Sequence, residues 1–134
     1  MLARIALVCL VVAAAPAIAS PAIEIHASCA AELAADPFHV RTLRAELAQE
    51  LEGAAGAHAQ AIDITLVRLD ATTSGTDVVV RAEVRALISD HGRVTYTATS
   101  HTTARGPIRE RLLVQRDAIA GAARDVGRHI KARR

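Results

Sequence analysis

Aromatic side chains are almost missing from this sequence: one phenylalanine, one tyrosine and no tryptophan in 134 residues. Without them there is no platform on which nucleic-acid bases could stack. Any core must then be built from Val, Ile, Leu and Ala, whose small side chains each bury little area at about 25 cal/mol per Å². Lysine is nearly absent too, since Lys131 is the only one among sixteen basic residues. Arginine over lysine and abundant alanine are a codon signature of a GC-rich bacterial genome. Neither sign of charge dominates, with a formal net charge of +2, so the chain is neither a polyanion nor a general polyanion binder. Cysteine is limited to Cys9 and Cys29.

The N-terminus explains one of those cysteines. "MLARIALVCLVVAAAPAIAS" has a basic residue, Arg4, then an apolar core over 5–15 and small residues at Ala17-Ile18-Ala19. These are the parts of a secretory signal peptide. The sequence predicts export by a Sec-type route, cleavage after Ala19, and a periplasmic or extracellular location. The apolar core is short for a membrane span, and no later stretch is long and apolar enough, so no transmembrane helix is expected in the mature chain. Cys9 leaves with the leader. Cys29 then has no partner for an internal disulfide, and His26 occupies the −3 position where a lipidation motif needs a branched apolar residue.

Three parts are expected: a signal peptide at 1–19, an N-terminal arm at 20–35 and one domain at 36–134. Within the arm, "AIEIH" could form a short strand. Asp36-Pro37 marks a helix start, with Asp36 as cap and Pro37 at the first helical position, where a missing N–H costs nothing. Val40, Leu43, Leu47, Leu51 and Ala54 recur at helical spacing, and "GAAGAHAQ" at 53–60 reads as a linker. Ile62, Ile64 and Leu66 alternate with Asp63, Thr65 and Val67. Val78, Val80, Ala82, Val84, Ala86 and Ile88 form the longest period-two series in the chain, a strand with one buried face. Asp90-His91-Gly92 suggests a three-residue hairpin loop, setting Ser89 against Arg93, Ile88 against Val94 and Ala86 against Tyr96. On the other face that register pairs Arg81 with His101, Glu83 with Thr99, Arg85 with Thr97 and Leu87 with Thr95. After Gly106-Pro107, the residues Ile108, Leu112, Ile119, Ala122, Val126 and Ile130 mark a second helical stripe. Gly121 and Gly127 inside it predict close packing. The expected fold is α+β: a two-layer sandwich in the order helix, three-strand antiparallel meander, helix.

Signals for chemistry are few. His26, Cys29 and Glu32 have ligand-type side chains at three-residue spacing, which on a helix would share a face and could hold a borderline metal. Two or three such residues with no second pair are weak candidates, so no metal or cofactor is assigned. Cys29 as a nucleophile would need a base such as His26 or His39. Ser74 lies in a polar loop without a nucleophile elbow, and Glu50 and Glu52 fall on different helix faces. No catalytic residue is assigned and the chain is not expected to be an enzyme.

Two surfaces remain. Val67, Val79 and Leu87 are branched apolar residues on a sheet face otherwise made of Arg81, Arg85, His101, Glu83 and threonines. With its two sheet edges, this face is expected to contact a protein partner or a second copy. Arg105 to Arg134 holds nine basic and three acidic residues, and Arg124, Arg128, Lys131, Arg133 and Arg134 form a basic patch suited to a helix C-terminus or to an anionic envelope component. Nucleic acid is not an expected partner. The expectation is an exported, non-enzymatic interaction or accessory domain of a bacterial cell envelope. The alternative is a small secreted metal-binding protein or thiol enzyme using Cys29 and histidines.

Overall fold

The structure, a computed structural model, describes residues 23–34, 36–52 and 60–133. The expected signal peptide, its cleavage site and most of the 53–60 linker lie outside the described residues.

The long alternating series forms a strand of an α+β fold. Its six apolar residues, from Val78 to Ile88, are all buried, because each successive pair of side chains points to opposite sides of the sheet. The strand order is β1 (Glu24–Cys29), β2 (Gln60–Ser74), β3 (Asp77–Asp90) and β4 (Arg93–Pro107). The sheet has four strands rather than three. The arm supplies the extra one: β1 runs parallel to β2, with Ile25 beside Ile62 and Cys29 beside Leu66. The other neighbours are antiparallel. A parallel pair needs a crossover, and here it passes through helix α1 (Pro37–Glu50). Its start follows the sequence signal: Asp36 caps it, accepting a hydrogen bond from the Phe38 backbone N–H at 2.9 Å, and Pro37 opens the first turn.

Helix α2 (Arg111–Ala132) ends the described chain. Leu43, Leu47 and Leu51 from the first helical segment meet Ala118, Ile119, Ala122, Val126 and Ile130 of α2 over Ile62, Ile64, Leu66, Val80 and Val84 of the sheet. The two helices run side by side in the same direction. Glu46 lies near Arg124 and Glu50 near Arg128 and Lys131, while Phe38 and Thr42 lie near Leu112 and Gln115. Gly127 allows this approach: a Cβ there would stand 2.6 Å from Glu50 Cγ. Gly121 similarly lets α2 sit on Thr102 of β4.

The expected stripe on the last helix is wrong at its beginning. Strand β4 runs on to Pro107, a 3₁₀ turn takes Ile108–Glu110, and the buried stripe starts at Val114. Ile108 and Leu112 are exposed. Both satisfy the helical period, but they lie beyond the sheet that would have covered them.

The β3–β4 register also differs. The turn has two residues, His91 and Gly92, both with positive φ, the backbone of a type I′ turn. Asp90 faces Arg93 and Ser89 faces Val94, but Ile88 faces Tyr96. Thr95 is therefore an extra residue, a bulge that restores the phase which a two-residue turn would otherwise break. Its Oγ1 donates to the Ile88 carbonyl at 3.3 Å. Below the bulge Leu87 faces Thr97, Arg85 faces Thr99, Glu83 faces His101 and Arg81 faces Thr103. Val94, expected inside against Ile88, is exposed.

Strand β2 has a bulge of its own at Val67, between the pairs Leu66–Val84 and Arg68–Glu83. Pairing with β1 stops at this point, closed by the Ala30 N–H donating to the Leu66 carbonyl at 2.9 Å. The polar loop expected around Ser74 is instead strand up to that residue, with a tight turn at Gly75 and Thr76. Gly75 has φ +62, the first position of a type II′ turn.

Candidate functional site

Among the described residues nothing covers the face of the sheet opposite the helices. Its side chains form rows across the strands. One row runs Asp70, Arg81, Thr103; the next Arg68, Glu83, His101; the next Thr65, Arg85, Thr99; and another Asp63, Leu87, Thr97. Strand β1 adds Glu24, His26 and Ser28. Opposite charges are adjacent within and between rows, which is the favourable arrangement for cross-strand neighbours. His101 Nε2 is 3.7 Å from Glu83 Oε1, and Ser28 Oγ is 3.1 Å from Thr65 Oγ1. Arg68, Asp70, Arg81, Glu83, His101 and Thr103 line an open depression of about 190 Å³.

The six expected surface residues share this side of the molecule. Arg81, Arg85 and His101 are exposed, Val67 and Val79 are half-buried, and Leu87 retains 36% of its accessible area. Arg68 and Asp70 were missed. They face outward because the bulge at Val67 reverses the alternation of β2. The sequence contains a trace of this: the apolar positions step from Leu66 to Leu69, an odd interval in a period-two pattern.

His26, Cys29 and Glu32 are not brought together. On a strand, a spacing of three puts side chains on opposite faces. His26 points outward, 3.1 Å from Glu24, whereas Cys29 packs partly against the core, and Glu32 follows in a 3₁₀ turn. Among the described residues no group of three His, Cys, Asp or Glu side chains could hold a metal ion. Burial pushes the Cys29 thiol up from its ordinary value, and the Asp36 carboxylate adds to the shift. The thiol is thus protonated at neutral pH, the reverse of what a nucleophile needs.

The basic patch is engaged within the fold. Lys131 Nζ is 3.0 Å from Glu50 Oε1, Arg128 is 3.8 Å from the same oxygen and Arg124 is 3.5 Å from Glu46. The Arg133 guanidinium stacks over the Tyr96 ring at 4.2 Å. Arg134 lies outside the described residues. Ser100 is buried on the inner face and donates to Asp125 Oδ2 at 2.6 Å. His129 Nδ1 stands 3.8 Å from that oxygen, so serine and histidine converge on the carboxylate and not on each other.

No known protein family matches the sequence, and no curated protein does. Solved structures do match the fold. A minor lipoprotein from Acinetobacter baumannii superposes with a TM-score of 0.57 at 18% identity, over 82% of this chain and 93% of that one. Rare lipoprotein B from Shewanella oneidensis gives 0.53 at 11%, over 82% and 95%. A dodecameric PelC from Paraburkholderia phytofirmans gives 0.50 at 15%, over 80% and 88%. At these identities the likeness is one of fold. Among the described residues no helix is long and apolar enough to cross a membrane.

Proposed function

We propose that this chain is an exported, non-enzymatic accessory domain of a bacterial cell envelope. It works by assembling, with further copies of itself or with an envelope protein, through the outer face and open edge of its sheet. The observation that carries the reading is the uncovered face itself. Leu87, Val79 and Val67 are apolar groups set among matched charges, the pattern of a patch with an apolar centre and a polar surround. Strand β4 adds a fifteen-residue edge whose outward backbone groups are open to pairing with another chain. The leader-like sequence at 1–19 supports export. The fold shared with lipoproteins and with a dodecamer supports both the location and the assembly.

Leu87→Glu tests it. Leu87 points away from the helices, so the variant keeps its circular dichroism. It loses association in sedimentation velocity, because a carboxylate desolvated in an interface has no partner there. If wild type and variant sediment alike and capture the same envelope proteins, the face is only solvated sheet.

A further inference from the structure

Where α1 and α2 begin, the molecule has a second, separate surface. Four large apolar side chains are exposed there: Leu112 by 75%, Phe38 by 64%, Leu113 by 48% and Ile108 by 41%. Phe38 comes from α1, Leu112 and Leu113 from α2, and Ile108 from the 3₁₀ turn before it. Between Phe38, Leu112 and Leu113 lies an open groove of about 170 Å³, also lined by Asp36, His39, Thr42 and Arg116. Among the described residues little covers Leu112 and Phe38.

Arginines rim the patch. Arg41 lies over the Phe38 ring at 5.2 Å, Arg109 and Arg111 are exposed beside Ile108 and Leu112, and Arg116 follows one turn on. The nearby carboxylates are Asp36, already used as the cap of α1, Glu110 and Asp117. Because the helices are parallel, both also point their positive ends here, each worth roughly half a charge, with Asp36 set against that of α1 and Glu110 at the start of α2.

We infer that this end of the molecule docks on an anionic lipid surface, with Phe38, Leu112 and Leu113 entering the acyl boundary and the arginines meeting headgroup phosphates. The charge selects this occupant. A second copy meeting the same end by a two-fold axis would set arginine against arginine. An anionic bilayer offers apolar depth and negative charge together, and arginine stems can lie along apolar surface while their heads stay at the interface. The basic C-terminal end is the weaker candidate, because Arg124, Arg128 and Lys131 are already paired with Glu46 and Glu50. The inference does not depend on the sheet face, which lies on another side of the molecule.

The lack of tryptophan makes the test direct. The variants Leu112→Trp and Phe38→Trp each place one fluorophore on the patch, and Leu87→Trp places one on the sheet face. Each is mixed, as the exported protein, with vesicles of phosphatidylcholine alone or with phosphatidylglycerol added. With anionic vesicles the emission from positions 112 and 38 moves to the blue and is quenched by brominated acyl chains, while that from 87 does not change. Changing Arg109→Gln and Arg111→Gln together weakens partitioning about 25-fold, at roughly fivefold per arginine, and added salt does the same. If positions 112 and 38 stay wet on every vesicle, or shift equally on neutral ones, the inference falls. It falls too if they become buried as protein concentration rises without lipid, which would make the patch a contact between copies.

Discussion

Where α1 and α2 finish, Glu50 is held by Lys131 and Arg128, Leu47 is fully buried beneath Gly127, and Arg133 closes over Tyr96. Where the same helices begin, Phe38 and Leu112 face outward beside Arg41 and Arg116, and among the described residues no ion pair joins the two helices there. Parallel helices bring like dipole ends together. At the finish, cations offset the two negative ends, so the basic tail belongs to the architecture. At the start no such offset is built across the pair. The difference teaches that the sign and number of charges at an element's end say little until their partners are known.

The same substitution at the two ends should therefore give very different results. Leu47→Ala opens a cavity under Gly127 and should cost about 3 kcal/mol, within the usual range for a buried leucine. Leu112→Ala, on a residue 75% exposed, should stay within about 0.5 kcal/mol. Urea melts of the pair check this, and equal losses would mean that the starting end is covered in the folded state.

The β3–β4 turn lies at the finishing end and supplies a middle-sized effect. Gly92 has φ +77 with nothing near its missing side chain, so any penalty there comes from the backbone alone. Gly92→Val should cost on the order of 1–2 kcal/mol, because a β-branched residue is forced into the left-handed region. A thermal melt showing no change would mean that the turn is not the two-residue form.

The smallest effect concerns pH. The Glu50 carboxyl is held below its ordinary value, first by the hydrogen bond from Lys131 and then by the charges of Lys131, Arg128 and Arg124. A carboxyl depressed in the folded state contributes stability above its unfolded pKa, and that contribution disappears as pH falls through the lower folded value. Wild type should therefore lose stability relative to Glu50→Gln between the ordinary carboxylate range and more acid pH, and less so in high salt. Parallel pH–stability curves for the two proteins would show that the clasp does nothing.

Much of the fold was legible because it is written in period. Val78 to Ile88 alternate without a break, and Asp36-Pro37 carries its capping chemistry in two adjacent residues. Strand β1 was faint: its inward residues Ile25, Ala27 and Cys29 are mostly small, and parallel pairing is set by a partner more than thirty residues away. Arg68 and Asp70 were hidden by one surplus residue, as was the true partner of Ile88. Leu112 was misplaced for a different reason. Periodicity tells which side chains share a face but not whether anything lies opposite. The outer-face residues were found by exclusion, as whatever the core did not use.

The bulges at Val67 and Thr95 give the sheet a property that concerns inheritance more than stability. Each is one residue without a counterpart, lodged between pairs that are otherwise in step. In an even strand, losing a single residue exchanges inside for outside along everything that follows. Here the loss of Thr95 would bring Tyr96 next to Val94, still opposite Ile88, and the loss of Val67 would join Leu66 to Arg68 with both already correctly placed. These are two codons that a lineage could drop or regain without scrambling the sheet, so related chains differing in length by one residue at these points would keep the same outer face.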